Sequence, residues 1–232
     1  MGVCLVGLWR APRHRTPALV SAAICAPSAV FAFLFVPAYW HPKLIVAIPV
    51  GIEDVLFSFA NGGLAWLMIS GGRGALRLRI DLAAIARRWL LMAAIFSPLL
   101  AAILWIGLPV MPAVLLCAAV ACGVLLWRQP WHRGLAAKGA LAFSAFYGSL
   151  LWMAFQLWPE FLHQWNAQAL SGVLIAGMPA EEIGWAVAYG AVWPLFMAYL
   201  LDAQPATPSP AHVDARSSLE SATTAPTAGV LR

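Results

Sequence analysis

The chain has 232 residues, of which 62% are hydrophobic and 10% are charged, and its mean hydropathy is +0.82. A soluble domain of this size cannot hide so much apolar surface, so the composition excludes one and predicts a membrane protein. The net charge of +5 does not indicate a nucleic-acid partner, because most arginines stand in short segments between apolar runs.

Six apolar runs are long enough to cross a bilayer, which takes about 20 helical residues. They predict an all-α fold, a polytopic membrane bundle of about six transmembrane helices. The last run is too long for one straight span, and we expect Gly177 and Pro179 to break it. The six runs are Ala18–Tyr39, Leu44–Ile69, Trp89–Leu108, Val110–Trp127, Gly139–Trp158 and Ala169–Leu201.

The basic residues predict the orientation of these spans. With the N-terminus inside, Lys43 alone falls on the outer side, in agreement with the positive-inside rule. We therefore expect a multi-pass protein of the cell (inner) membrane with both termini in the cytoplasm. The inner basic residues are Arg10, Arg13, Arg15, Arg73, Arg77, Arg79, Arg87, Arg88, Arg128, Arg133, Lys138, Arg216 and Arg232.

Two segments outside the spans have their own predictions. Gly71–Arg88 mixes arginines with apolar residues, and we favour a solvated loop over an amphipathic helix on the inner leaflet. Residues 203–232 are rich in Ala, Pro, Ser and Thr and predict a disordered cytoplasmic tail.

Four cysteines lie in apolar surroundings, without CxxC spacing and without a nearby histidine. These features favour packing roles over disulfides or metal ligation. The sequence also lacks a nucleotide-binding loop and a metal-ligand cluster, so we expect no cofactor and no metal. The cysteines are Cys4, Cys25, Cys117 and Cys122.

Two adjacent acids occur twice within apolar runs, and the two segments align as an internal repeat. They lie on the second and the sixth of the six predicted spans, so the repeats should be parallel and related by an axis near the membrane normal. We divide the chain into an N-terminal repeat (1–88), a linking helix (89–109), a C-terminal repeat (110–202) and the tail (203–232). The aligned residues are Glu53 with Glu181, Asp54 with Glu182, Phe57 with Trp185, and Gly62 with Gly190.

Such acids are costly at membrane depth, roughly 2.5–3.5 kcal/mol each on insertion scales, and this cost indicates a function. Counting about nine residues from Leu44, we expect Glu53 roughly 14 Å inside the outer end of its helix. Four carboxyl groups without a nearby cation cannot all be ionised, because desolvation and like-charge repulsion favour the protonated form. The alternatives are hydrogen-bonded pairs that lock two helices together, or acids that face outward at a membrane interface.

An acid beside a carboxylate is the arrangement that general acid–base chemistry uses. Phe57 and Trp185 each follow an acid by one helical turn, and Tyr189 shares a helix face with Glu182. Aromatic faces there can stabilise a cation, although packing is an equally good reading of these rings. The pattern favours a proton-initiated carbocation reaction on an apolar substrate in the bilayer.

At these residues the chain is similar to the lycopene cyclase domain family, the small integral-membrane lycopene β-cyclases of the heterodimeric and fused type. The family motif, Pro-x-Glu-Glu/Asp with following aromatics, occurs once in each of two domains. The second copy here is Pro179-Ala-Glu-Glu-Ile-Gly-Trp185, continued by Gly190, Trp193 and Tyr199 and preceded by Trp165-Asn166 and Gly172. In the first copy Pro49 stands four residues before Glu53, and Gly51 occupies the expected proline position.

The resemblance implies a non-redox cyclisation of lycopene end groups to β-rings. It implies that Glu53 or Glu181 donates the proton, that Asp54 and Glu182 tune or accept it, and that Phe57, Trp185 and Tyr189 face the cation. The partners implied are a lipophilic carotenoid and membrane lipids, with no nucleic acid and with homo-oligomerisation left open. The competing hypothesis is a proton- or cation-coupled transporter, based on parallel repeats and a broken helix that carries acids.

Overall fold

The computed structural model describes residues 14–42, 50–70 and 76–205, and these form an α-helical bundle. Six helical segments are long and apolar enough to cross a membrane, so the predicted fold class is confirmed. The first span, Arg15–Phe35, joins α1 to α2 through the 3-10 turn Ala26–Phe31. The α-helices are α1 (Arg15–Cys25), α2 (Ala32–Phe35), α3 (Ile52–Ser70), α4 (Leu82–Trp105), α5 (Val110–Arg128), α6 (Arg133–Leu157) and α7 (Ala180–Leu200).

The exposed surface of the bundle is strongly apolar. Side chains such as Leu90, Leu141 and Trp105 are mostly exposed, although they belong to the most hydrophobic class of residue. In water this would be an unfavourable surface, whereas lipid tails solvate it. The exposed faces of the spans therefore agree with a multi-pass membrane protein.

The described part of Gly71–Arg88 forms neither the solvated loop nor the amphipathic surface helix that were considered for this segment. Leu76–Arg77 forms β1, which pairs antiparallel with β4 (Gln204–Pro205). Asp81 then caps α4, because its side chain accepts a hydrogen bond from the Ala84 N–H at 3.1 Å. Residues 82–88 consequently belong to a spanning helix. Residues 71–75 and 206–232, with most of the predicted disordered tail, lie outside the described residues.

The predicted break in the last apolar run is confirmed, but the residues before it are not helical. Leu174–Ile175 (β2) and Met178–Pro179 (β3) form a hairpin. Ala176 and Gly177 have φ values of +51° and +82°, as a two-residue turn of this kind requires. A β-hairpin therefore precedes α7, in place of the outer helical piece that the long apolar run suggested.

The predicted depth of Glu53 is wrong. Helix α3 begins at Ile52, so Glu53 lies in its first turn and not two turns inside the span. Asp54 accepts a hydrogen bond from the Gly51 N–H at 2.8 Å and so satisfies one of the donors that a helix N-terminus leaves free. The predicted start of this helix, Leu44, belongs to residues 43–49, which lie outside the described residues.

Helices α3 and α7 run parallel, as the internal repeat predicted. Near their N-terminal ends Phe57 contacts Trp185, and near their C-terminal ends Trp66 shares an apolar cluster with Met197 and Leu200. Each helix packs antiparallel on a partner within its own half, α3 on α1 and α7 on α6. The two carboxylate pairs therefore lie at the same end of the bundle.

The aligned glycines are the points of closest helix approach. A Cβ on Gly190 would lie 2.5 Å from the Gly139 carbonyl oxygen, and one on Gly62 would lie 2.3 Å from the Cys25 Cβ. Small residues allow such close approach, and backbone contact is a principal source of helix association in lipid. The two repeats therefore share a close helix contact at the aligned glycine as well as the aligned acidic residues. Gly62 supports this further, since its carbonyl accepts a 2.7 Å hydrogen bond from the Ser21 hydroxyl.

The cysteines in the described residues are free thiols, in agreement with the packing role predicted for them. Cys25 is buried at the crossing of α1 and α3, and its sulfur lies 3.3 Å from the Tyr189 hydroxyl. Cys117 points at the Phe96 carbonyl at 3.8 Å. Cys4 lies outside the described residues.

Candidate functional site

The four predicted acids stand in the first turns of α3 and α7, and each has a different environment. A helix N-terminus carries partial positive charge from its free N–H groups, so both pairs occupy places that favour a carboxylate. The structure brings the pairs to one end of the bundle, beneath the loops that precede α7.

Glu182 is the most enclosed of these acids, with 6% of its surface exposed. Its Oε1 accepts hydrogen bonds from the Tyr39 hydroxyl and from the Trp165 indole N–H, both at 2.9 Å. Its Oε2 accepts one from the Tyr147 hydroxyl at 2.7 Å. These three residues, together called the Glu182 clamp, come from the segment after α2, from α6 and from the loop before the hairpin.

The clamp residue Tyr39 is a hydrogen-bond donor that does not ionise near neutral pH. Its ring lies in an apolar cluster with Met111, Leu151 and Phe155. Burial, followed by the negative charge of Glu182, raises the pKa of Tyr39 far above its ordinary value. Tyr39 therefore keeps its proton and donates it in the hydrogen bond to Glu182.

Only one of the two carboxyl oxygens of Glu181 has a hydrogen-bond partner among the described residues. Its Oε1 accepts a hydrogen bond of 2.5 Å from the Ser171 N–H, which ties α7 to the loop before the hairpin. Its Oε2 is shielded from solvent and has no hydrogen-bond partner among the described residues. A buried oxygen without a partner is unusual in proteins, and at a functional site it marks a position for a proton or a ligand.

Glu53 and Asp54 stand over the same glycine. Asp54 accepts the Gly51 N–H, while the Glu53 carboxyl group folds back so far that a Cβ on Gly51 would lie 2.5 Å from its Cδ. A Cβ at position 51 would therefore require the flexible end of the Glu53 side chain to move. Asp54 and Glu182 are equivalent in the repeat, but Asp54 has a local capping bond and Glu182 has three distant donors.

The two aromatic residues predicted from separate halves of the chain face each other. The rings of Phe57 and Trp185 are nearly parallel, with centroids 6.3 Å apart and an interplanar angle of 23°. Trp185 continues into a column of stacked rings on one face of α7, at 5.1 Å to Tyr189 and from there at 5.7 Å to Trp193. Phe57, at the outer end of this column, is 52% exposed.

The column is held in place by polar contacts with other helices. The Trp193 indole N–H donates to the Ser21 hydroxyl at 2.9 Å, and the Tyr189 hydroxyl contacts the Cys25 sulfur. Tyr147 also packs against Trp185, with ring centroids 5.0 Å apart. Tyr147 thus joins the aromatic column to the carboxylate of Glu182.

A cavity of about 110 Å³ lies beside the column, between α5 and α7. It is almost wholly apolar and begins one helical turn below the carboxylates of α7, which are not part of its lining. Its walls are Val114, Leu115 and Ala118 of α5 and Trp185, Ala188, Tyr189, Val192 and Trp193 of α7.

Sequence reasoning did not find the Glu182 clamp. Trp165 was noted only within the family resemblance, and Tyr39 and Tyr147 were not singled out. One signal was present: the chain has only four tyrosines, and three of them, Tyr39, Tyr147 and Tyr189, lie at this site. A phenol in an apolar span needs a polar partner, and an acid is the partner available here.

Comparisons with protein-family models, with curated proteins and with solved structures gave no match for this chain.

Proposed function

We propose that this protein is a carotenoid cyclase that converts the linear end groups of lycopene, or of a related carotenoid, to β-ionone rings. The observation that supports it best is the meeting of the two repeats at Phe57 and Trp185, with an acid one helical turn before each ring. A cation held between two aromatic faces is stabilised by both, and the effect is largest where water is excluded.

The spacing of the two rings suits a flat hydrocarbon. Carbon atoms in contact lie about 3.5–4.0 Å apart, so a planar end group between two rings needs a separation of about 7–8 Å. The rings lie 6.3 Å apart, so Phe57, whose side chain is half exposed, would move outward by the remaining distance when the substrate binds. The substrate then enters from the lipid side, where Phe57 is open.

The proposed reaction starts with a proton from a carboxylic acid, Glu53 or Glu181. The electrons of the terminal double bond form the new C–H bond and leave a tertiary carbocation. A second double bond then attacks this cation and closes the six-membered ring, which moves the positive charge within the ring. A carboxylate removes a neighbouring proton, and the electrons of that C–H bond become the ring double bond. Substrate and product are isomers, so the reaction consumes no redox equivalent.

The place of the protein in the cell is part of the proposal. A carotenoid is dissolved in the bilayer, so a multi-pass protein of the cell (inner) membrane with both termini in the cytoplasm would meet its substrate there. The support is the distribution of basic residues between the spans. The test is a reporter protein that is active only in the cytoplasm. Fused to the C-terminus of this chain, it should be active if this orientation is correct.

The direct test is expression in a bacterial host that accumulates lycopene. We expect β- or γ-carotene to form, with a colour change from red towards yellow or orange, and pigment analysis by chromatography to show the ring products. Glu181→Gln and Glu53→Gln preserve shape and remove the titratable proton, so at least one should abolish conversion. Glu160→Gln, at an exposed position in the 3-10 turn Pro159–Gln164, is the matched control. Unchanged lycopene with verified membrane expression would overturn the proposal.

The transporter hypothesis was based on parallel repeats, which the helix arrangement keeps, and on a broken helix that carries acids at depth. Here α7 begins at Ala180, after a hairpin, and its acids are in the first turn. Proteoliposomes with a pH-sensitive dye separate the two functions. Proton flux that Glu53→Gln removes would favour a transporter, whereas proton-tight vesicles together with ring formation in cells would favour the cyclase.

A further inference from the structure

Glu182 differs from the other acids in how fully its oxygens are engaged. Both oxygens accept hydrogen bonds, three in all, and every donor comes from a different part of the chain. Glu181, the adjacent residue, retains a vacant oxygen within the described part of the chain. The two neighbouring acids of α7 are therefore chemically distinct.

The clamp suits a carboxylate better than a carboxylic acid. An indole N–H can only donate, and each tyrosine hydroxyl lies within hydrogen-bond distance of a Glu182 oxygen, so all three groups can donate to Glu182 at the same time. A protonated Glu182 would place a fourth hydrogen where three donors already converge, so one hydrogen bond would be lost or reversed. Charge-assisted bonds to an anion are also the stronger kind, and the N-terminus of α7 adds partial positive charge.

The clamp also connects this charge to the aromatic site. Tyr147 donates to Glu182 at 2.7 Å while its ring packs 5.0 Å from that of Trp185, which in turn faces Phe57. A negative charge held there is linked, through the rings of Tyr147 and Trp185, to the place where the proposed carbocation would develop. Fixed charges of this kind lower the energy of a charged transition state because they need no reorganisation during the reaction.

We infer that Glu182 stays ionised throughout the reaction as the fixed counter-charge of the carbocation, positioned by Tyr39, Tyr147 and Trp165. This inference rests on the proposed function; of the two roles considered for Glu182, tuning and accepting a proton, it keeps the first and removes the second. The proton then leaves Glu53 or Glu181, and after ring closure a carboxylate outside the clamp takes one back. Glu182 neither gains nor loses a proton at any step.

Infrared spectroscopy of the purified full-length protein tests the ionisation without reference to activity. A protonated carboxyl group absorbs above the amide I band, whereas a carboxylate absorbs below it. We expect Glu182→Gln to remove carboxylate absorption and to leave the protonated region unchanged. If Glu182→Gln instead removes a protonated-carboxyl band, the inference is overturned.

The clamp itself is tested by Tyr39→Phe, Tyr147→Phe and the double variant, each of which removes a hydroxyl and keeps the ring. We expect the double variant to gain a protonated-carboxyl band that disappears again when Glu182→Gln is added. Tyr199→Phe, in the last turn of α7, is the matched control and should leave the spectrum unchanged. Membrane level and melting temperature of each variant show whether it is folded. A folded double variant with an unchanged spectrum would overturn the role of the clamp.

Measuring lycopene conversion by Glu182→Gln tests this inference separately from the proposed function. With wild-type conversion established, Glu182→Gln should reduce it roughly 100-fold, as expected for loss of a preorganised electrostatic group. Full conversion by folded Glu182→Gln would overturn the counter-charge role. If wild-type protein gives the expected carboxylate signal but forms no ring, the cyclase proposal and the counter-charge role fall, and the clamped carboxylate is supported as a structural connection.

Discussion

The close crossing of α6 and α7 predicts a large loss of stability when one of its glycines is replaced by alanine. At this point Gly139 and Gly190 face each other, and a Cβ added to Gly139 would lie 2.1 Å from the Gly190 carbonyl oxygen. Ordinary contacts of a Cβ are 3.4 Å or longer, so Gly139→Ala forces the two helices more than 1 Å apart. Neither backbone can yield locally, because both positions are inside long helices.

The expected cost has two parts. Overpacking of a tight interface costs about 1–3 kcal/mol. The displacement also strains the bond from Tyr147 on α6 to Glu182 on α7, and a hydrogen bond to a charged group contributes about 1.5–3 kcal/mol. We expect a loss of about 3 kcal/mol and a fall in melting temperature of roughly 10 °C for a chain of this size.

Tryptophan fluorescence or circular dichroism during heating in mild detergent measures this change. Gly123→Ala and Gly134→Ala are matched controls, because an added Cβ at either position meets nothing within 4 Å. The double variant Gly139→Ala/Gly190→Ala should cost less than the sum of the single variants, since the first methyl group already separates the helices. A Gly139→Ala protein that melts with the controls would refute the close crossing.

Two further predictions concern Gly51 and Arg88. Gly51→Ala should displace the Glu53 carboxyl group and, if the protein is a cyclase, reduce ring formation by about 100-fold, as a misplacement of 1 Å can do. Pigment analysis at matched expression measures ring formation, with Gly123→Ala as the control. Unimpaired conversion by Gly51→Ala would contradict the prediction. Arg88 donates two hydrogen bonds of 3.0 Å to carbonyls at the end of α7. Arg88→Gln should therefore reduce the free energy of unfolding by about 2 kcal/mol more than Arg87→Gln, at an exposed position, and should lower the melting temperature further. Equal melting temperatures of the two variants would contradict this prediction.

Helix ends were the least predictable feature of the fold. Apolar runs show where a helix can lie in lipid, but they do not show where it begins, because loops that cover the bundle are apolar too. Residues 169–179 illustrate this, since they continue the hydrophobic run and yet form a turn and a hairpin. The start of α7 depends on Pro179 and on the turn before it, and the depth of the acids changes with it.

The predicted site residues were found because an acid in an apolar run is conspicuous in sequence. Their alignment in a parallel repeat also predicted that the two pairs would share one end of the bundle. Their individual chemistry was not predictable. Asp54 and Glu182 are equivalent in the repeat, yet Asp54 caps its own helix, whereas Glu182 is held by Trp165, Tyr147 and Tyr39, which are 17, 35 and 143 positions away along the chain.

The sequence by itself determined that this chain spans a membrane about six times and carries two related acid–aromatic segments, because hydrophobicity and spacing are local properties that need no partner. Only the tertiary structure decided that Phe57 faces Trp185 and that two tyrosines and a tryptophan enclose Glu182. Those contacts join distant parts of the chain, and their geometry depends on how closely the glycines allow the helices to approach.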